Sequence, residues 1–139
     1  MTSLKIAIAQ INCVVGDVAG NARRILAAAL EARQRGAGLL LTPELALAGY
    51  PPEDLVLKPA FQAACRQAVE ALARETGKGG PAMVVGTPWV ENGLLYNAAA
   101  VLDGGRISAL RFKVDLPNYG VFDEKRVFAP GPMPGPVNF

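Results

Sequence analysis

Histidine is absent from all 139 residues, and that absence removes more chemistry than any other feature of the chain. Neither a Ser-His nor a Cys-His relay can be built from these residues, and a histidine-rich metal site is excluded with them. Cysteine is scarce. Cys13 and Cys65 are the whole complement, which makes neither a disulfide framework nor a thiolate metal site. No apolar run approaches the roughly 20 residues needed to cross a bilayer, so no membrane span is expected. Met1-Thr2-Ser3-Leu4-Lys5 lacks an apolar signal core and leads straight into a strand pattern, which makes the cytoplasm the expected location. Charge of one sign is also lacking, since 14 basic residues face 12 acidic ones for a net +2. The basic residues are scattered without interleaved aromatics, so no nucleic-acid surface is expected. Acid–base chemistry is left to carboxylate, lysine, tyrosine or thiol.

What the chain has in quantity is apolar residues, 51% of the total, enough for one domain with a real core. Residues 4–10 alternate and read as a first strand. Asn12, Gly16, Asp17 and Gly20 make a loop before a helix over residues 21–35. Its apolar stripe is Ile25, Leu26, Ala29 and Leu30, and Gly36 and Gly38 stop it. Leu39-Leu40-Leu41 is a short buried strand. Pro51-Pro52-Glu53-Asp54 is a rigid loop. A second helix over residues 60–76 places Phe61, Cys65, Val69 and Leu72 on one stripe, so Cys65 reads as a core residue. Gly77-Lys78-Gly79-Gly80 lacks the Gly-Lys-Ser/Thr order of a phosphate loop and opens no helix, so it reads as a turn. Residues 83–86 form a third strand, and Asn92-Gly93 between apolar runs marks a hairpin. Asp103-Gly104-Gly105 turns the chain into a strand over residues 106–112. This order of elements gives an α/β domain with a mixed sheet. Beyond Val114 the pattern turns irregular, as functional loops often do. Val137-Asn138-Phe139 is expected to begin another strand.

Two polar residues stand just past strand ends. Glu44 follows Pro43, which closes the second strand because proline cannot donate to a ladder. Lys113 follows the fifth. In open α/β sheets such strand ends are where sites gather. A carboxylate can take a proton and an ammonium can stabilise an oxyanion, so the pair makes chemical sense if a nucleophile joins it. As an isolated pair they read first as two surface groups or a salt bridge.

The first strand, the Gly16-Asp17 turn, Pro43-Glu44 after the leucine run, Asn97-Ala98-Ala99 and Arg111-Phe112-Lys113 together resemble the nitrilase, or carbon–nitrogen hydrolase, superfamily. Two longer stretches, residues 43–55 and 113–126, resemble the glutaminase domains of glutamine-dependent NAD⁺ synthetases within it. The resemblance implies a nitrilase-like α-β-β-α sandwich, present here as an incomplete domain, and a Glu-Lys-Cys triad. Glu44 matches the general base, Lys113 the lysine that stabilises the tetrahedral intermediate, and Glu124 a second glutamate supporting lysine and substrate. Tyr119 and Phe122 match the loop lining the glutamine pocket or the ammonia exit.

One part of the pattern is missing. The family's nucleophilic cysteine follows the next strand, and the chain stops at Phe139. Cys13, in a loop, and Cys65, on an apolar stripe, are both read as structural. The chain is therefore expected to be the N-terminal part of a longer enzyme and to be inactive alone. Glutamine would bind in the completed domain. Nicotinic acid adenine dinucleotide, ATP and Mg²⁺ would bind in a C-terminal synthetase domain absent from these residues, and the resemblance implies a homo-oligomer. The alternatives are a stand-alone amidase of the same superfamily and a catalytically dead module binding a partner through its sheet edge.

Overall fold

The structure, a computed structural model, describes residues 3–139; Met1 and Thr2, where the reading of the N-terminus begins, lie outside the described residues. Five strands form one sheet in the order β1-β2-β3-β4-β5. They are β1 Ile6–Ile8, β2 Leu39–Leu41, β3 Ala82–Glu91, β4 Leu94–Asp103 and β5 Arg106–Phe112. The first three run parallel, and β3, β4 and β5 continue as an antiparallel meander. The mixed sheet expected from the order of elements is the one observed.

Helices α1 (Val18–Gln34) and α2 (Pro59–Thr76) make the two crossovers. Crossovers between parallel strands are right-handed, so a sequential strand order puts both helices on one face. Their stripes, Ile25, Ala29 and Ala32 with Val69, Leu72 and Ala73, share a core with Leu40, Met83, Val85, Ala100 and Leu102. These are one helix layer and one sheet layer of the sandwich.

Helix α1 starts earlier than its apolar period suggested. Asp17 caps it, accepting the Gly20 N–H at 2.9 Å, and the cap carries Gly20 into the first turn. Helix α2 begins on Pro59, a residue suited to the first helical position because its missing N–H would have no partner there. Strand β3 does not stop at Gly86 but runs on through Thr87 and Pro88. Proline is tolerated there because β2 pairs with β3 only as far as Val84, so the β2 side of β3 is unpaired at Pro88. Val137-Asn138-Phe139 forms no strand. Just before it, the Arg111 side chain of β5 donates to Gly135 O at 2.9 Å and Pro136 O at 2.6 Å, so side-chain bonds rather than a backbone ladder hold this segment to the sheet edge.

A buried amide that the apolar period did not mark ties this layer to the loop after β2. Asn21 is fully buried, accepts the Val14 N–H at 2.8 Å and donates to Val14 O at 2.8 Å and Leu47 O at 3.0 Å. Asn21→Leu removes these three bonds, leaving Leu47 O unpaired in the interior and the Val14 N–H unpaired at its edge. It is expected to cost about 3 kcal/mol or more, read as a lowered denaturant midpoint. An unchanged midpoint would mean water replaces the amide.

Candidate active site

The turn after β2 is built to present one side chain. The Thr42 hydroxyl donates to Val84 O at 3.0 Å and accepts the Gly86 N–H at 3.1 Å, fastening the strand end to β3. Three residues on, Leu45 adopts φ +51° and is fully buried. That left-handed conformation is uncommon for a leucine and persists only where the surroundings impose it. Leu45 is held in a second small core with Val56, Leu116 and Phe128. On the other side the Leu47 N–H reaches Gly86 O at 3.1 Å. Pro43 and Leu45 are thus pinned, and Glu44 between them projects from a rigid elbow.

Lys113 is fixed through its backbone. Its N–H donates to Asn97 O and its carbonyl accepts the Gly131 N–H, each at 2.8 Å. Its ammonium donates to Glu44 Oε1 at 2.8 Å and to Glu124 Oε1 at 3.2 Å. Burial pulls the Lys113 ammonium down, but hydrogen bonds to Glu44 and Glu124 and their charges outweigh it, leaving the pKa above that of an ordinary lysine. Lys113 therefore stays cationic at neutral pH, with its charge facing both carboxylates.

Glu124 arrives from a single helical turn, Glu124–Arg126, in the irregular segment after β5. Its N–H bonds to Pro117 O at 3.1 Å. The neighbouring Arg126 guanidinium bonds to Asp123 at 3.0 Å and to Asp54, with Glu53 at 3.7 Å. Exposed ion pairs of this kind contribute little stability singly. What they set is position, since they join the Pro51-Pro52-Glu53-Asp54 loop to the segment carrying Glu124. The Glu124 side chain is only 8% exposed, and Lys113 Nζ lies 3.1 Å from its Oε2. Oε2 receives no hydrogen bond in donor geometry, so the ammonium charge is what offsets its burial. The Tyr50 hydroxyl donates to Glu124 Oε1 at 3.4 Å. Burial, then the charges of Glu124 and Glu44, push the Tyr50 phenol above its ordinary range.

The fold thus brings Glu44, Lys113 and Glu124 into one cluster. Glu44 and Lys113 line an open groove of about 350 Å³ with Gly86, Asn97, Arg111 and Phe112. On the other side, Glu124, Tyr50, Phe122 and Phe128 line a small cavity of about 60 Å³. Tyr119 stands apart. It is 72% exposed, lines neither space and touches the site through an edge-on contact with Phe122 at 5.8 Å. No cysteine lines the groove among the described residues. Burial raises the Cys13 thiol despite the opposing charge of Arg24, and pushes Cys65 up to about 12. Thiols held neutral in this way are poor nucleophiles.

Sequence reasoning assigned no role to Asn97 or Tyr50. Asn97 carried a signal, because a lone amide inside an apolar strand needs a buried partner. Its Nδ2 donates to Glu44 Oε1 at 2.7 Å. Tyr50 carried none, since a tyrosine before a Pro-Pro pair reads as turn chemistry.

A mixed α/β sheet whose strand ends carry Glu44 and Lys113, joined by Glu124 from the segment after β5, holds a carboxylate–ammonium–carboxylate cluster built without histidine. The carbon–nitrogen hydrolase pattern matches residues 5–137, and the chain belongs to that family. A glutamine-dependent NAD(+) synthetase from Xylella fastidiosa (strain Temecula1) is 48% identical over 130 residues, covering 93% of this chain and 24% of the relative. Among solved structures, the glutamine-dependent NAD⁺ synthetase from Acinetobacter baumannii in complex with ADP superposes with a TM-score of 0.89 at 37% identity. That match covers 95% of this chain and 25% of the other. An amidase from Nesterenkonia sp. follows with a TM-score of 0.81 at 34% identity, over 98% of this chain and 51% of the amidase. The chain spans about a quarter of the length of the synthetases it matches.

Proposed function

We propose that these residues are the N-terminal part of a glutaminase domain in a glutamine-dependent NAD⁺ synthetase. The observation carrying the reading is the Glu44–Lys113–Glu124 cluster, with Lys113 Nζ 2.8 Å from one carboxylate and 3.1 Å from the other. In this reading a cysteine outside the 139 residues supplies the nucleophile. Glu44 takes the thiol proton, and the thiolate attacks the side-chain amide carbon of glutamine. Lys113 stabilises the oxyanion, and Glu44 returns the proton to the departing ammonia. Water then hydrolyses the glutamyl thioester to glutamate. Glu124 holds the lysine, and Phe122 beside it lines the cavity through which the glutamine side chain or the departing ammonia would pass, with Tyr119 reaching that space only through its contact with Phe122.

The ammonia serves amidation of nicotinic acid adenine dinucleotide. ATP and Mg²⁺ are assigned to the synthetase domain, outside these residues. No group of side chains suited to hold a metal converges among the described residues. No helix among them is long and apolar enough to cross a membrane. A cytoplasmic homo-oligomer is part of the proposal.

A stand-alone amidase is the second reading, favoured by the Nesterenkonia match. The Arg126 cluster joining residues 53–54 to residues 123–126 belongs to the two stretches specific to the synthetase resemblance and counts for the first reading. The gene read past codon 139 decides between them. The full chain is expected to make NAD⁺ with either glutamine or ammonium as nitrogen donor and to release glutamate. A product that hydrolyses small amides but makes no NAD⁺ would establish the amidase instead.

A further inference from the structure

We propose that Asn97 selects which oxygen of Glu44 acts as the base: its amide and the Lys113 ammonium both occupy Oε1, leaving Oε2 to take the proton. The inference rests on the glutaminase reading and adds a positioning residue to it. Asn97 lies in β4 and is 4% exposed, so its amide group has no freedom to sample solvent. Its Nδ2 donates to Glu44 Oε1 at 2.7 Å, and Lys113 Nζ donates to the same oxygen at 2.8 Å. The amide orientation follows from the partner, because a carboxylate accepts and only the NH₂ side of asparagine donates.

The same residue anchors the lysine, whose backbone N–H bonds to Asn97 O at 2.8 Å. Base and oxyanion stabiliser are thus referred to one rigid point. On the flanking positions Tyr96 stacks on Phe112 at 4.2 Å and an interplanar angle of 11°, stiffening β4 against β5 where Asn97 and Lys113 sit. A carboxylate with one oxygen doubly bonded to donors cannot spin about its last torsion. Its second oxygen stays aimed, and holding a proton acceptor within hydrogen-bond reach is the condition for general base catalysis. Without the amide, Glu44 keeps the lysine but rotates about that single contact.

The test uses the full-length enzyme. Asn97→Ala is expected to lower kcat for glutamine hydrolysis about 10- to 100-fold with KM for glutamine held within about twofold, since only the aim of the base is lost. Ammonia-dependent synthesis should be retained. Asn97→Asp should lose more, because it sets a second carboxylate against Glu44. A kcat within about twofold of wild type in Asn97→Ala overturns the proposal. So does a rise in KM with kcat unchanged, which would make Asn97 a binding residue. A second readout does not depend on the reaction, only on Glu44→Ala keeping the wild-type backbone spectrum. The Asn97 side-chain amide signal in ¹⁵N-labelled protein should shift in Glu44→Ala and stay in place in Tyr50→Phe. An unmoved signal in Glu44→Ala would sink the contact itself. Absence of glutamine hydrolysis in the wild-type chain would instead remove the glutaminase reading, leaving the amide shift to decide whether Asn97 holds Glu44.

Discussion

Full-length enzyme carrying Lys113→Met is expected to lose glutamine-dependent NAD⁺ synthesis by about 10²–10³-fold or more while keeping ammonia-dependent synthesis. Methionine keeps the length and apolar stem of lysine but removes the charge that both carboxylates face. The oxyanion then has no cation, and Glu44 and Glu124 become like charges sharing a site. Stability should fall as well. Deleting one partner of a fully buried pair costs about 3–5 kcal/mol. Lys113 is 31% exposed and Glu44 45% exposed, so solvent screening brings the expected loss to about 2 kcal/mol. Equal loss of glutamine- and ammonia-dependent synthesis would show that Lys113 serves folding rather than chemistry.

The pH dependence carries a definite sign. The Lys113 pKa is raised in the folded protein, so its contribution is fully present below the unfolded lysine pKa of about 10.4 and is lost as pH rises through the folded value. Tyr50, also raised, acts in the same direction. Wild-type melts should therefore weaken on the alkaline side. Lys113→Met should narrow its gap to wild type there, and a constant gap from pH 8 to about 11 would contradict the linkage.

Gly86→Ala is expected to damage both the fold and the site from a position with no reactive group. A β-carbon at Gly86 would run into Pro43 O and come within 2.6 Å of Leu45 N. Both neighbours are backbone, in a turn pinned by the buried Leu45, so they cannot give way as a flexible side chain would. Overpacking of this kind costs about 1–3 kcal/mol, and the upper end is expected here. The least costly relief is displacement of the turn carrying Glu44, and a shift near 1 Å at a catalytic group costs about 10²-fold in rate. Gly80→Ala, with nothing within 4 Å of its new carbon, is the matched control. Denaturant midpoint and glutaminase rate should both fall for Gly86→Ala and hold for Gly80→Ala. A wild-type midpoint and rate in Gly86→Ala would show that the turn gives way without loss.

The layers of this protein were legible because they rest on local periodicity. Alternation and short apolar runs marked the strands, and the stripes marked the buried faces of α1 and α2 except at Leu30, which is 54% exposed. Asn92-Gly93 marked its hairpin, where the two residues take φ of +51° and +77°. Element ends were less legible. Capping by Asp17 and the unpaired flank of β3 at Pro88 depend on neighbours that a linear period does not contain.

By itself, the sequence determined that there would be a mixed α/β sheet, that no histidine among these 139 residues could take part in a site, and that Glu44 and Lys113 would stand at strand ends. Only the tertiary structure decided that these two meet across 69 positions of chain, that Glu124 joins them and that Tyr119 stays outside the groove. It also revealed Asn97 and Tyr50 as their holders and Gly86 as the space the Glu44 elbow needs. The physical reason is one of range. Periodicity and turn chemistry act between residues a few positions apart. A hydrogen bond to one carboxylate oxygen, or room for a missing β-carbon, exists only once distant strands have been packed side by side.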